Sequence, residues 1–339
     1  MILKPYLEDH FEIIDSLTSL NIYLYKIDIT MKNKNILVFG STGFIGRSLT
    51  KRLLQNGDKL ICPVRNASRV KRNILSGDIG QIEVIEFDIH NLEEIKTLIA
   101  NTDLVINLIG ILYEKNNLSF ELVHYLLPKK IANYCELYKK PFLHVSGLGS
   151  TFQTKSNYLI SKKMGEEFIE NNNTNHIIVR PSTVYGEEDN FFNLFGKMAK
   201  ILPFLPLIKN GMTKFQPIYV NDLSLLIFNL LNNFENYKNS NIAAVGNEIF
   251  TFKEILSHIF LSLKKKERFF YIPSFLAIIQ GKVLEKLPKP LFTYDQYVTL
   301  SHDSVSEGGQ KLVTEILKQD LSDMKVITSE YLKKFIDKV

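Results

Sequence analysis

Two short runs carry the residue types that could do chemistry. In the first, Gly40-Ser41-Thr42-Gly43-Phe44-Ile45-Gly46, three glycines recur at three-residue spacing behind the apolar run Ile36 to Phe39. Gly40 allows a tight turn, Gly43 lets backbone approach a pyrophosphate, and Gly46 lets a following helix pack close to the strand. Free N–H groups and the dipole at that helix start can then hold phosphate. In the second run, Tyr158-Leu159-Ile160-Ser161-Lys162, the tyrosine and lysine stand four apart, on one face of a helix. An ammonium beside a phenol favours the phenolate and lowers its pKa. Such a tyrosine can exchange a proton with a hydroxyl or carbonyl while a nicotinamide exchanges hydride, and the lysine can hold the nicotinamide ribose. Taken singly, glycine turns and Tyr-x-x-x-Lys pairs are common; their context gives them weight.

That context is a set of alternating strands and helices. Ile36 to Phe39 reads as a buried strand, and Ser48 to Leu54 as a helix with Ile45, Leu49 and Leu53 on one face. Lys59 to Val64 is a second strand. NAD-preferring dehydrogenases place an acid after it for the ribose 2′-hydroxyl. Here Arg65-Asn66-Ala67-Ser68-Arg69 follows with no acid, so Arg65 and Arg69 could take a 2′-phosphate, and NADP(H) is preferred over NAD(H). Ile82 to Phe87 is the third strand, ending at Asp88 at the adenine end. Asp103 to Ile109 is the fourth, ending in Gly110, where a nucleotide could come close. A long helix is expected from Phe120 to Tyr138, with Leu122, Leu126 and Ala132 toward the sheet despite Pro128. Phe142 to Ser146 is the fifth strand, and Ile177 to Arg180 the sixth, stopped by Pro181. The alternation predicts an α/β fold with a doubly wound parallel sheet of Rossmann type.

After Pro181 the rhythm breaks, which predicts a smaller C-terminal substrate or cap lobe. The expected division is an extension over 1–30, a dinucleotide-binding domain over 31–250 with an insert near 185–214, and a mostly helical lobe over 251–339. Phe215 to Val220 reads as a strand returning to the sheet region, Asn221-Asp222 as the cap of a helix through Leu231, and Thr251 as the cap of Phe252 to Leu263. Lys264-Lys265-Lys266, then Phe269 to Pro273, precede an apolar helix over Phe275 to Leu287. That stretch could touch a membrane surface peripherally, although packing of a small lobe is the commoner use. The first thirty residues are too acidic for a transit or signal peptide, and Met31 looks like a natural start.

Composition excludes several classes. The chain has 339 residues and a mild net charge of +5, with no basic stripe and interleaved aromatics for nucleic acid. No run approaches the roughly 18 apolar residues of a spanning helix. Cys62 and Cys135 form no framework, which suits a reducing compartment, and the seven histidines show no metal-ligand spacing, so no metal is implied. Arg47, Arg52, Arg65, Arg69 and Arg72 crowd one window, which fits phosphate recognition better than a solvated face.

The glycine run, the missing acid after strand two and the Tyr158-x-x-x-Lys162 pair together resemble the extended and atypical short-chain dehydrogenase/reductases, over nearly all of the chain after residue 31. A narrower likeness lies in Val105 to Glu114, Gly77 to Gln81, Pro181 to Phe191, Phe215 to Val220, Thr293 to Gln296 and Asp303 to Ser306. These segments, in this order, are similar to the nucleotide-binding accessory subunit of respiratory complex I and its bacterial relatives. The resemblance implies an NADPH-binding protein with peripheral-arm subunits of complex I as partners, near the membrane junction, whose nucleotide is structural. It also implies that Gly40, Ser41, Thr42, Gly43, Phe44, Ile45 and Gly46 form the phosphate loop. Arg65 would face the 2′-phosphate, Asp88 the adenine and Lys162 the ribose; Gly110 and Pro181 would line the nucleotide, and Tyr158 would sit beside the nicotinamide.

One departure bears on catalysis. Active members place a Ser or Thr just past strand five to polarise the substrate oxygen. Here the strand continues Ser146-Gly147-Leu148-Gly149-Ser150, so Ser146 or Ser150 could serve, or the position could fall on Gly147 or Leu148. The favoured expectation is therefore an accessory or assembly subunit with a bound nucleotide and weak or no turnover. The alternative is an active NADP-dependent oxidoreductase or epimerase using Tyr158, Lys162 and Ser146 on a nucleotide sugar, a quinone-pathway intermediate or a lipid intermediate. The expected place is the cytoplasm, peripheral on the inner membrane, or the matrix side if the protein is organellar.

Overall fold

Seven parallel strands make the central sheet of the computed structural model, which describes residues 33–70, 77–115, 117–151, 155–273 and 293–336. They are β1 (Asn35–Phe39), β2 (Lys59–Val64), β3 (Ile82–Glu86), β4 (Leu104–Asn107), β5 (Phe142–Val145), β6 (His176–Pro181) and β7 (Ser240–Ala244). The order across the sheet is β7-β6-β5-β4-β1-β2-β3. The direction of winding reverses between β1 and β4, and open α/β sheets bind ligands beyond the carboxyl ends of their strands at such a point.

The inner strands are largely apolar on both sides because both faces are covered, whereas edge strand β3 exposes Glu83 and Glu86. In β1, Ile36 and Val38 face one layer while Leu37 and Phe39 face the other. The first layer holds α1 (Phe44–Gln55), α6 (Val220–Asn232) and α9 (Gly309–Leu317). The second holds α2 (Ile95–Ala100), α3 (Leu127–Leu137) and part of α4 (Asn157–Glu170). A separate apolar cluster joins α5 (Phe192–Ile201), α7 (Phe252–Ser262) and α10 (Met324–Leu332), with Phe195 edge-on to Phe252 at 5.3 Å. Thr251 starts α7 with the capping box expected for it, its side chain paired with the backbone and carboxylate of Glu254. A short helix, α8 (Tyr294–Thr299), abuts the start of α4. No helix among the described residues is long and apolar enough to cross a membrane.

Three expectations need correction. The helix before Pro128 is not a regular α-helix: Leu122–Leu126 is a π turn, closed by Leu127 N–H donating to Leu122 O. Proline has no N–H to donate, and the wider turn accommodates it. Val123, Leu127 and Ile131 meet the sheet with Ala132, Leu122 packs partly buried against the same cluster as expected, and Leu126 points outward. Phe215 to Val220 does not rejoin the sheet. Lys214–Phe215 pairs antiparallel with Phe250–Thr251, and Ile218–Tyr219 pairs parallel with Val184–Tyr185, as separate two-stranded ribbons. Asp222 does not cap α6, whose cap is Tyr219; the Asp222 carboxylate instead accepts Ser322 N–H at 2.8 Å and Ser322 Oγ at 3.1 Å. The extension over 1–30 and the apolar helix expected over 275–287 lie outside the described residues.

The π turn brings α3 and α4 into tight contact. A Cβ built on Gly165 would lie 2.1 Å from the His124 carbonyl oxygen. Because that neighbour is backbone, Gly165→Ala is expected to destabilise the fold by about 1–3 kcal/mol, as overpacking does; urea unfolding followed by circular dichroism measures it.

Candidate functional site

The glycine turn closes as its spacing requires. Gly40 takes φ +82°, and Gly43 N–H donates to Gly40 O at 3.0 Å. A Cβ on Gly46 would lie 2.1 Å from Gly40 O and 2.7 Å from Ser41 O, so only glycine lets α1 start this close to β1. The first turn of α1 has no acidic residue, and its cap, Gly43, has no side chain to offer. Its leading N–H groups therefore remain for an anion. Ser41 is buried in the turn, while Thr42, Phe44 and Ile45 are half-buried around it.

Two arginines expected to meet phosphate are braces instead. Arg47 donates to Thr42 O at 2.6 Å and pairs with Glu188, so it ties the glycine turn to the loop after Val184–Tyr185. Arg52 donates from Nε to Ser224 Oγ at 2.9 Å and from Nη2 to Asn221 O at 3.2 Å, clamping α1 to α6. Arg65 differs: it is exposed, directly after β2, and forms no ion pair among the described residues. Asp88 is exposed beyond β3 and accepts His90 N–H at 3.0 Å. Arg72 lies outside the described residues.

Across the switch point, Gly110 follows β4, Ser146 follows β5, and Pro181 is the buried last residue of β6. Ser146 Oγ is buried and has no hydrogen-bond partner among the described residues. Ser156 caps α4 by accepting Leu159 N–H at 3.3 Å. From α8, Asp295 accepts both Ser156 Oγ at 2.6 Å and Tyr158 N–H at 3.2 Å. One turn into α4, Lys162 is buried with its Nζ 5.4 Å from the centre of the Tyr158 ring. Gly110 and Gly147 flank it: a Cβ at Gly110 would lie 3.9 Å from Lys162 Nζ, and one at Gly147 would lie 3.8 Å from Lys162 Cδ.

Burial governs the charges here. It pulls the Lys162 ammonium down to about 8, with Glu166 opposing the shift. It pushes the Tyr158 phenol well above its ordinary value, so the depression expected from the lysine does not arise in this geometry. Burial, with Lys162 nearby, also holds His124 down to about 2 and His144 down to about 3, so both are neutral.

These histidines belong to the site, and sequence reasoning passed over them. His144 meets Asn107 Nδ2 at 3.2 Å, and Asn107 Oδ1 accepts Ile109 N–H at 3.1 Å. His124 Nε2 accepts Ile111 N–H at 3.1 Å, and its Nδ1 meets Ser161 Oγ at 3.1 Å. The signal that could have pointed to His124 was Pro128, four residues on in a helical stretch.

A dinucleotide fits these residues. The cradle of bare N–H groups suits a pyrophosphate, the unpaired Arg65 suits an added phosphate, and the unpartnered Ser146 hydroxyl and the buried Lys162 offer donors at the far end.

Comparisons with known proteins show what the chain is similar to. Residues 36–246 match the NAD dependent epimerase/dehydratase family. The chain is 32% identical over 287 residues to the mitochondrial NADH dehydrogenase (ubiquinone) 1 alpha subcomplex subunit 9 of Arabidopsis thaliana, covering 81% of this chain and 71% of that protein. It is 30% identical over 304 residues to the protein of the same name from Dictyostelium discoideum, covering 88% and 82%. Among solved structures, the epimerase Mth375 of Methanothermobacter thermautotrophicus superposes with a TM-score of 0.68 at 16% identity, covering 91% of this chain and 95% of that one, which shows the shared fold.

The buried lysine predicts a pH dependence. Lys162 loses its proton near pH 8 when folded, against an ordinary value of 10.5. Between those values the unfolded chain binds more protons, so stability rises with pH. Relative to Lys162→Met, the wild type is expected to gain stability from about pH 8 to pH 10.5, by at most ~1.4 kcal/mol per pH unit, and to show no such gain below pH 7. Denaturant titrations of both proteins across that range measure it.

Proposed function

The chain belongs to the NAD dependent epimerase/dehydratase family and, within it, to the kin of NADH dehydrogenase alpha subcomplex subunit 9, and from that membership we propose that it is a nucleotide-holding accessory subunit of respiratory NADH:ubiquinone oxidoreductase. The observation that carries this reading is the likeness to those subunits along most of both chains. Its partners are subunits of the peripheral arm. Its place is the cytoplasmic side of a bacterial inner membrane, or the matrix side of a mitochondrial one.

The nucleotide serves structure more than turnover. A catalytic acid or base works best with a pKa near the operating pH. Tyr158 is shifted away from neutrality by burial, and its ring meets Phe120 at 5.6 Å and His124 at 5.3 Å. When bound, a nicotinamide nucleotide could supply hydride, but the residues around it are arranged to hold. The glycine turn and the start of α1 take the pyrophosphate, Lys162 the ribose, and Gly110 and Pro181 the nicotinamide half. Ser146 offers its unpartnered hydroxyl there. Arg65 stands where an acid would serve NAD, which supports NADPH, with Asp88 at the adenine.

A second reading, an active reductase or epimerase, draws on the intact Tyr158–Lys162 pair and on the free Ser146 hydroxyl. Tyr158→Phe separates the two. The accessory reading expects this variant to bind NADPH, co-purify with the complex and fully rescue a deletion strain. Binding and co-purification without rescue would favour the enzyme.

Three measurements follow. Tagged protein drawn from mildly solubilised membranes should bring peripheral-arm subunits in constant ratio; recovery of the chain alone sinks the accessory role. NADPH at one hundred times its Kd should raise stability by ~2.7 kcal/mol, read as a higher Tm. Arg65→Ala should weaken NADPH binding about three- to tenfold and leave NADH binding unchanged, as loss of one exposed charge contact would; equal losses for both would remove the 2′-phosphate role.

A further inference from the structure

The described contacts around the turn after β4 converge on one side chain. Gly110 has no side chain to fix its own position, yet its two neighbours are both pinned. Ile109 N–H is held by Asn107 Oδ1 at 3.1 Å, and Ile111 N–H by His124 Nε2 at 3.1 Å. Because Nε2 accepts, the proton of the neutral ring sits on Nδ1, which points to Ser161 Oγ at 3.1 Å. Ser161 Oγ in turn donates to Tyr158 O at 2.9 Å. The ring is also fixed by packing. It stacks on Phe120 at 5.5 Å with 19° between planes, and Tyr158 stands edge-on to it at 86°.

His124 therefore joins three separate pieces of chain: the turn after β4, the π turn ahead of α3, and the face of α4 that carries Tyr158 and Lys162. It lies within the π turn Leu122–Leu126 itself. Gly110 lies between the pieces, beside both His124 Nε2 and Lys162 Nζ. This is the Lys162 end of the cleft. Arg65 marks the opposite end, after β2.

We propose that His124 is a positioning residue for the nicotinamide half of the nucleotide, locking the Gly110 turn to α4 so that the wall this half binds against is formed before the ligand arrives. The proposal rests on the dinucleotide reading of the site. Preformed walls raise affinity by removing the cost of ordering them during binding. Loss of the lock should therefore weaken the ligand's nicotinamide half and spare its adenine and phosphate half.

The test compares NADPH with 2′-phospho-ADP-ribose, which lacks the nicotinamide, on the full chain. His124→Phe keeps the stacked ring and removes both polar links. It is expected to weaken NADPH about tenfold, the effect of one well-placed buried hydrogen bond, and to leave 2′-phospho-ADP-ribose within about twofold. The emission of bound NADPH should shift toward that of the free nucleotide. His124→Gln offers an oxygen to Ile111 N–H and should recover most of the lost affinity. Ser161→Ala leaves the ring and the Ile111 bond in place and removes only the anchor to α4. It should cause a smaller loss with the same selectivity, and it carries the test if His124→Phe does not fold. The proposal is overturned if His124→Phe binds NADPH like the wild type, if both ligands weaken in parallel, or if glutamine restores nothing. A wild-type chain that binds neither ligand overturns the dinucleotide reading itself, and that result is read before any variant is made.

Discussion

An ammonium taken out of water without a carboxylate beside it is costly, and Lys162 is such a group. It is buried at the carboxyl ends of the central strands and has no ion pair among the described residues. Glu166, one turn further along α4, is the nearest candidate, but Arg180 engages it with bonds of 2.8 and 2.6 Å. The field of Glu166 still favours the charged lysine, yet burial outweighs it. The neighbouring histidines add no like charge, since burial and the lysine itself keep them neutral. The chain thus buries a poorly compensated charge at the carboxyl ends of its central strands.

The second apolar cluster is fastened to that same place by a few polar contacts. Arg47 links the phosphate turn to Glu188, and the adjacent Asp189 is buried, accepting Tyr331 Oη of α10 at 2.6 Å. Burial pushes the Asp189 carboxyl up, while its hydrogen bonds to Tyr331 and to the Asn193 and Gly186 N–H groups pull it back. At the other end Asp295 holds the start of α4. Residues far along the chain therefore grip both the glycine turn and the helix that carries Tyr158 and Lys162.

The sheet and the glycine turn were legible in the sequence because both rest on local rules. Glycines at fixed spacing, strands with continuous apolar runs and the Thr251 capping box each depend on a handful of adjacent residues. The pair Tyr158 and Lys162 was legible for the same reason, since helical spacing alone brings them together. His124 was not. Its role requires a π turn caused by Pro128, a backbone N–H at Ile111 and a hydroxyl at Ser161, and no local pattern links those positions. The arginine window misled for a related reason: Arg47 and Arg52 are near the phosphate turn in sequence, but Glu188, Asn221 and Ser224, brought in by the fold, claim their donors. The ribbons at Lys214–Phe215 and Ile218–Tyr219 escaped because a short apolar run does not say which edge it will join.

The raised Tyr158 phenol follows from the same tertiary facts. A lysine four residues away lowers a tyrosine's pKa only if the field of its charge exceeds the cost of burying the phenolate. Here the ammonium is itself pulled toward neutrality, so its field weakens as the pH rises, while Phe120 and His124 pack rings against the tyrosine. The motif survives as geometry, with burial raising the phenol and lowering the ammonium. A fold shared with epimerases thus keeps both residues of the motif, while Phe120 and the neutral His124 ring fill the space around Tyr158.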